Sequence, residues 1–320
     1  MESSKVLVTG ATGFVGSWLV DKLNRLGASV QVVIRPKSDR AYLFDKDSVK
    51  IHELDISDFK KILKTISETS FDFIFHLAST NTNIGQDFSP IDTFDSNIKG
   101  TYNILEATRL SSKDHTRIVM TSSREVYPSD PNKSNLYDRK GFHPYEVSKI
   151  CAELVIRSYI QTFGLDVVSI RTPNIYGGRD LNWNRIIPGT IKSVLEGVDP
   201  VLRSDGRNIR SFVYIQDFID AILLVAKNKN KKNQAFYNID KIESYNALEV
   251  VSMIIAASSI ENLKPSIQDY SSHEKFELQP PTGLSVRELG WEPKTNFVEG
   301  IQKTYEWYHK HYNSQPENKE

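Results

Sequence analysis

Lys5-Val6-Leu7-Val8-Thr9-Gly10-Ala11-Thr12-Gly13-Phe14-Val15-Gly16 is the stretch that decides the fold. A short apolar, β-branched run ends in three glycines spaced GxxGxxG, and Phe14 to Leu26 then has helical spacing up to Gly27. The order is strand, tight turn, helix. Glycines let the backbone turn sharply and approach a pyrophosphate without Cβ atoms in the way. The helix start adds free N–H groups and the positive end of its dipole. A glycine pattern alone says little, but between a strand and a helix it is in its confirming context. Gly10, Thr12, Gly13, Phe14, Val15 and Gly16 are therefore candidate contacts to a dinucleotide.

Further along, short apolar runs alternate with amphipathic segments. Strands are expected at Ala28–Ile34, Val49–Leu54, Phe71–Ala78, Arg117–Ser122 and Asp166–Arg171. Continuous apolar strands separated by helices predict a parallel sheet covered on both faces, the doubly wound Rossmann class of α/β fold. After Thr172 the punctuation by Pro173, Gly177, Gly178, Pro188, Pro200 and Gly206 predicts a smaller, mixed α/β substrate domain. It should hold helices at Ile187–Glu196 and Ala247–Ala257 and a strand at Val201–Arg203. The expected division is a dinucleotide domain at 1–172 and a substrate domain at 173–320. The segment around 209–240 should return to the first domain, Phe212–Ala226 entering as a strand and a helix.

Composition narrows the class. The 320 residues are 39% hydrophobic and 10% aromatic, enough for a packed core. Forty Lys+Arg balance forty Asp+Glu, which argues against a uniformly basic nucleic-acid binder and against an acidic disordered chain. The run Lys227 to Lys232 reads as a solvated loop because no aromatics interleave. One cysteine excludes a disulfide scaffold and fits a reducing cytoplasm. The start of the chain has no basic-plus-apolar leader, and the longest apolar run, Ala221 to Ala226, is too short for a membrane span. The histidines show no metal-binding spacing, so no metal is expected. Asn313 to Glu320 reads as a frayed tail.

Two further features carry chemistry. At the end of the second strand, where a site for NAD usually offers an acid to the ribose 2′-OH, the sequence has Arg35-Pro36-Lys37-Ser38. A guanidinium suits a 2′-phosphate and favours NADP over NAD, the alternative being Arg35 stacked on the adenine of NAD. Pro144 then opens a helix at Tyr145-Glu146-Val147-Ser148-Lys149. Tyr145 and Lys149, at i and i+4, project from one face. A phenol of pKa about 10 becomes a useful base only beside a cation, which Lys149 supplies while holding the nicotinamide ribose. Such a pair arises often by chance. Its context is Thr121-Ser122-Ser123, about 22 residues upstream at the end of a strand, which puts a hydroxyl at the same sheet edge.

Glycine turn, strand-end serine and YxxxK in this order resemble the extended short-chain dehydrogenase/reductase superfamily, in its nucleotide-sugar epimerase/dehydratase branch. Leu54-Asp55-Ile56, His76-Leu77-Ala78, Asn97 to Thr101, Arg171 to Gly177, Arg210 to Tyr214 and Leu289-Gly290-Trp291 agree with it. His143 to Lys149 and Gly177 to Leu195 look like relatives of CDP-glucose 4,6-dehydratase. The resemblance implies that Ser123, Tyr145 and Lys149 form a hydride-transfer triad. It puts Asp55 and Ile56 at the adenine, Leu77, Ala78 and Asn97 along the cofactor, Asn174 at the sugar diphosphate and Arg210 on a phosphate oxygen. Arg203 and Arg207 would add cations for the same diphosphate. It implies a nucleoside-diphosphate sugar as substrate and a homodimer paired through helices near Asn97–Ser111 and Tyr145–Gly164. His76 reads as a structural strand-end residue.

The pattern departs from the family at Ser123-Arg124-Glu125. Glu125 stands where a 4,6-dehydratase needs a carboxylate for the C5 proton. Arg124 cannot act as a general acid but can bind substrate. Arg179, where relatives tend to have glycine, is a second departure. The expected reaction is oxidation at C4 of a nucleoside-diphosphate hexose, with 4,6-dehydration ranked ahead of 4-epimerisation and NADPH-dependent reduction of a 4-keto sugar. A non-catalytic nucleotide sensor ranks last, because Ser123, Tyr145 and Lys149 are all present.

Overall fold

The computed structural model describes residues 1–36, 38, 43–80, 89–111, 115–127, 143–228, 235–240, 242–268 and 284–312. Lys37, the run Lys229 to Lys232 and the terminal segment Asn313 to Glu320 lie outside the described residues. In chain order the elements are β1 (Lys5–Thr9), α1 (Phe14–Arg25), β2 (Ser29–Ile34), β3 (Lys50–Glu53), α2 (Phe59–Glu68), β4 (Phe73–His76), α3 (Pro90–Phe94), α4 (Gly100–Leu110), β5 (Arg117–Ser123), α5 (Pro144–Phe163) and β6 (Val167–Thr172). They continue as β7 (Asn174–Tyr176), α6 (Ile186–Leu195), β8 (Val201–Leu202), β9 (Ile209–Tyr214), α7 (Ile215–Lys227), β10 (Phe236–Asn238), β11 (Ser244–Asn246), α8 (Ala247–Ser258), β12 (Ser266–Ile267), β13 (Leu284–Ser285) and α9 (Phe297–His311).

Two compact units result. The first comprises Met1–Thr172, Ile219–Asp240 and Pro280–Trp291. Its sheet runs β13-β10-β6-β5-β4-β1-β2-β3, and every pairing in it is parallel. Six of these strands, in the order 3-2-1-4-5-6, are the doubly wound arrangement. The strands read as unbroken apolar runs because helices cover both faces: Val6, Leu7, Val8, Ile74 and Phe75 are each 0% exposed. Helix α2 starts at Asp58, whose carboxylate accepts from the Lys61 N–H, and it buries Ile62 and Ile66 on the sheet. Helix α5 starts with Pro144 at its first turn and stops at Gly164, which is left-handed at φ +69.

The second unit comprises Pro173–Phe218, Lys241–Gln279 and Glu292–Glu320. It holds a three-stranded sheet, β11-β9-β7, and a two-stranded one, β12-β8. Here the sequence expectation needs correction. The strand at 209–214 does not return to the first sheet. It pairs with β7 in parallel and with β11 antiparallel, so the return begins only at Ile219. The physical reason is that an apolar run reports burial and not the choice of sheet. Phe212 and Tyr214 stack edge-on against Tyr176 of β7, at 6.2 and 5.6 Å between ring centroids. The position beside β6 is filled by β10 instead, with Ile170 opposite Tyr237. Strands β10 and β13, of three and two residues, are too short to show periodicity in sequence.

Candidate active site

The crevice of a doubly wound sheet lies at the carboxyl ends of the strands where their order reverses, here at β1 and β4. The glycine turn occupies the end of β1. Gly10 is left-handed at φ +73, and a Cβ on it would lie 2.6 Å from the Ala78 nitrogen. A Cβ on Gly16 would lie 2.1 Å from the Gly10 carbonyl oxygen. The turn therefore closes only with glycine at both positions. Gly13 stands at the start of α1 with no side-chain cap, and Phe14 and Val15 begin the helix. The first-turn N–H groups are thus left for an anion, and the turn fits the pyrophosphate of a dinucleotide.

Other cofactor candidates line up along the same edge. The Leu77 N–H donates to the Thr9 carbonyl at 3.2 Å, and the Ala78 N–H to Thr9 Oγ1 at 3.4 Å. Arg35 is exposed at the end of β2. The exposed Asp55 carboxylate accepts from the Ser57 N–H at 2.8 Å. The Ile56 side chain, by contrast, is core: it packs on Gly100, and its carbonyl accepts from Asn103 at 2.9 Å.

Asn97 sits in a π-helical turn, Asp95–Lys99, that joins α3 to α4; such turns recur at functional sites. Its amide accepts from the Thr80 N–H at 2.8 Å and donates to the Thr80 carbonyl at 3.2 Å and to Ser148 Oγ at 2.9 Å. Ser148 Oγ in turn donates to the Tyr145 carbonyl at 2.7 Å. Asn97 thereby ties the loop after β4 to the first turn of α5.

Lys149 is buried, with its Nζ donating to the Thr121 carbonyl at 3.2 Å and lying 5.7 Å from the centre of the Tyr145 ring. Burial lowers its pKa to about 8, against an opposing pull from Glu153. On its other side His76 bridges Thr9 Oγ1 at 2.8 Å and Thr101 Oγ1 at 3.3 Å. Burial first, and the Lys149 charge second, hold the His76 ring neutral down to about pH 3. His76 is therefore a neutral hydrogen-bonded strut.

Ser123 ends β5, where its Oγ accepts from the Glu125 N–H at 3.2 Å and caps a short 3-10 turn, Arg124–Val126. Glu125 is exposed and Arg124 half-buried. The structure thus brings Ser123, Tyr145, Lys149 and Asn97 to one edge with the glycine turn.

Asn174, Arg203 and Arg210 belong to the second unit. The Asn174 amide donates to the Ser211 carbonyl at 3.3 Å, so it anchors β7 to β9. Arg203 and Arg210 are exposed, Arg210 opposite Tyr245 in the β9–β11 pairing. Arg179 is left-handed at φ +75, a conformation that glycine would adopt without cost.

Sequence reading missed a buried hydrogen-bonded network: Ser122, Glu153, Arg171, Tyr127 and Asn238. Ser122 Oγ donates to Glu153 Oε1 at 2.7 Å, and Arg171 grips the same carboxylate at 2.8 and 2.6 Å. Arg171 also reaches the Tyr127 oxygen at 3.3 Å, and the Tyr127 hydroxyl donates to Asn238. The one readable signal was Glu153 at i+4 from Lys149. Among the described residues no group of His, Cys, Asp and Glu is placed to hold a metal, and no helix is long and apolar enough to cross a membrane.

A family model described as the NAD dependent epimerase/dehydratase family matches residues 6–240. The trifunctional UDP-glucose 4,6-dehydratase/UDP-4-keto-6-deoxy-D-glucose 3,5-epimerase/UDP-4-keto-L-rhamnose-reductase of Arabidopsis thaliana is 27% identical over 319 residues, 95% of this chain. The chain spans 47% of that protein, about half its length. A CDP-glucose 4,6-dehydratase of Salmonella typhimurium is 25% identical over 328 residues, covering 95% of this chain and 91% of its own length. The solved UDP-glucose 4-epimerase of Thermotoga maritima, with UDP-glucose, aligns at TM-score 0.83 and 22% identity, over 96% of this chain and 99% of that one. That last likeness is one of fold.

Proposed function

Because the chain belongs to the NAD-dependent epimerase/dehydratase family of enzymes, we propose that it oxidises C4 of a nucleoside-diphosphate hexose and then removes water across C5 and C6. The observation that carries the reading is the Lys149 ammonium 5.7 Å from the Tyr145 ring, on the sheet edge that also holds the open glycine turn. A bound nicotinamide dinucleotide supplies the acceptor and later the donor of a hydride. The turn from Gly10 to Gly16 holds its pyrophosphate, Asp55 meets its adenine, and Lys149 holds its nicotinamide ribose. Tyr145, as phenolate beside the Lys149 cation, takes the proton of the C4 hydroxyl, and Ser123 hydrogen-bonds the same sugar oxygen. The 4-keto group acidifies C5. Glu125 takes that proton and returns one to the departing C6 oxygen, because Arg124 next to it cannot serve as an acid. The hydride then returns at C6, C5 takes up a proton, and Tyr145 gives up the proton it took. Arg203 and Arg210 supply cations for the diphosphate, with Arg124 on the sugar side.

Arg124 also favours a second reading. It cannot move a proton itself, and a 4-epimerase needs no proton transfer at C5. Glu125→Gln separates the two. In a dehydratase C4 oxidation survives, elimination stops, and the absorbance of the reduced dinucleotide rises on adding substrate and stays. Near-normal turnover of the variant contradicts dehydration and leaves the epimerase.

Arg35, exposed at the end of β2, supports NADP as the preferred form. Arg35→Asp should weaken NADP binding by about 10- to 100-fold, the worth of one charge-assisted hydrogen bond. Equal affinity before and after the change contradicts that role. The chain is proposed to pair with a second copy through α4 and α5, whose Tyr102, Leu154 and Phe163 are 39, 54 and 49% exposed. A monomer mass by light scattering would rule this out.

A further inference from the structure

Lys149 and Glu153 both line a small polar cavity of about 20 Å³ behind the triad, enough for about one water molecule. Among the residues lining it, Glu153 alone carries a negative charge. The hydroxyl of Ser169, on the same cavity wall, is buried and finds no hydrogen-bond partner among the described residues. Glu153 is 6% exposed, Lys149 7% and Arg171 8%. Ser122 takes one carboxylate oxygen at 2.7 Å, and the Arg171 guanidinium grips both, at 2.8 and 2.6 Å. The chain places the clamp and the cation together. Thr121, whose carbonyl accepts from Lys149, directly precedes Ser122, whose hydroxyl holds Glu153.

We propose that Glu153 is a positioning residue for the hydride-transfer site: clamped by Ser122 and Arg171, its carboxylate shares one cavity with the Lys149 ammonium and holds that cation against the Thr121 carbonyl and the Tyr145 ring. The proposal rests on the Tyr145–Lys149 reading above and adds the group that keeps the lysine charged where it is used.

The energetics support a role beyond packing. An ammonium taken out of water is costly unless a counter-charge accompanies it. A buried ion pair between Glu153 and Arg171 alone would gain little over two apolar residues of the same volume. Burial drives Lys149 down to about 8, and Glu153 acts in the opposite sense. The groups facing Lys149 from the other elements do not replace it. His76 on β4 is neutral, Tyr145 lies one turn back on α5, and Arg171 on β6 reaches Glu153 rather than the lysine. Tyr127, after β5, is held protonated chiefly by burial.

The test titrates Lys149 directly in the dinucleotide-bound protein without substrate. Lysine labelled with 15N at the side chain gives the signal, assigned by its loss in Lys149→Arg. In Glu153→Gln the midpoint should fall by about one pH unit, the effect of losing the negative charge that lines the same cavity. In Arg171→Met, which breaks the same ion pair but leaves the carboxylate, the midpoint should stay or rise. The kcat–pH profile should move with the midpoint while KM changes little. Midpoints that stay put in Glu153→Gln, or that fall together in both variants, overturn the proposal. Should Glu153→Gln fail to fold because Arg171 is left as a buried unpaired cation, Glu153→Gln with Arg171→Met removes both charges. The midpoint should still fall there, and no change overturns the proposal equally. A shifted midpoint in a protein that turns over no nucleotide sugar sinks the catalytic reading and leaves the positioning. An unshifted midpoint with full turnover does the reverse.

Discussion

A tyrosine hydroxyl with a pKa near 10 is a poor base at neutral pH, and whatever Tyr145 does depends on what stands next to it. Lys149 stands there, one helical turn on, with its ammonium buried and its pKa near 8. The proposed chemistry therefore rests on a pair. Tyr145→Phe removes a single hydroxyl from a half-buried side chain, so the fold should persist while hydride transfer falls by about 10²- to 10⁴-fold. Stopped-flow reduction of the bound dinucleotide measures this, and unchanged rates in the variant would remove Tyr145 from the chemistry. At this scale the pair was legible in the sequence because four residues along a helix always share a face. The clamp on Glu153 was not. Its partners Ser122 and Arg171 lie 31 and 18 residues away and meet it only because β5 and β6 pair in parallel, Ser122 opposite Arg171.

The element proposed to hold the cofactor is the turn between β1 and α1. Its glycines meet a geometric demand: a methyl group on Gly16 would lie 2.1 Å from the Gly10 oxygen and 2.8 Å from Ala11 Cα. Backbone atoms cannot swing aside as a flexible side chain can. Gly16→Ala must open the turn, at a cost on the order of 1–3 kcal/mol, and should cut dinucleotide affinity at least tenfold. Paired thermal melts and dinucleotide titrations check both effects. Full affinity in the variant would mean that the turn does not hold the pyrophosphate. Elements such as β1, β2 and β6 were readable because burial on both faces makes them continuous apolar runs. The same rule misassigned Ile209–Tyr214, since Phe212 and Tyr214 are buried by Tyr176 in another sheet. The short strands β10 and β13 carry no periodic signal and are located only by their pairing.

Across the molecule, one unit presents the glycine turn and the Tyr145–Lys149 pair, and the other carries exposed arginines suited to phosphate. In the proposed reaction hydride leaves C4 of a nucleoside-diphosphate hexose, is stored on the dinucleotide and returns to the same sugar. Deuterium placed at C4 tests it most directly. A panel of such labelled nucleotide sugars is incubated with the purified protein without added reductant, and the label is located in the product by NMR. Deuterium should appear at C6 of a 4-keto-6-deoxy sugar. Recovery of every sugar with deuterium still at C4, without dehydration or inversion there, would contradict it.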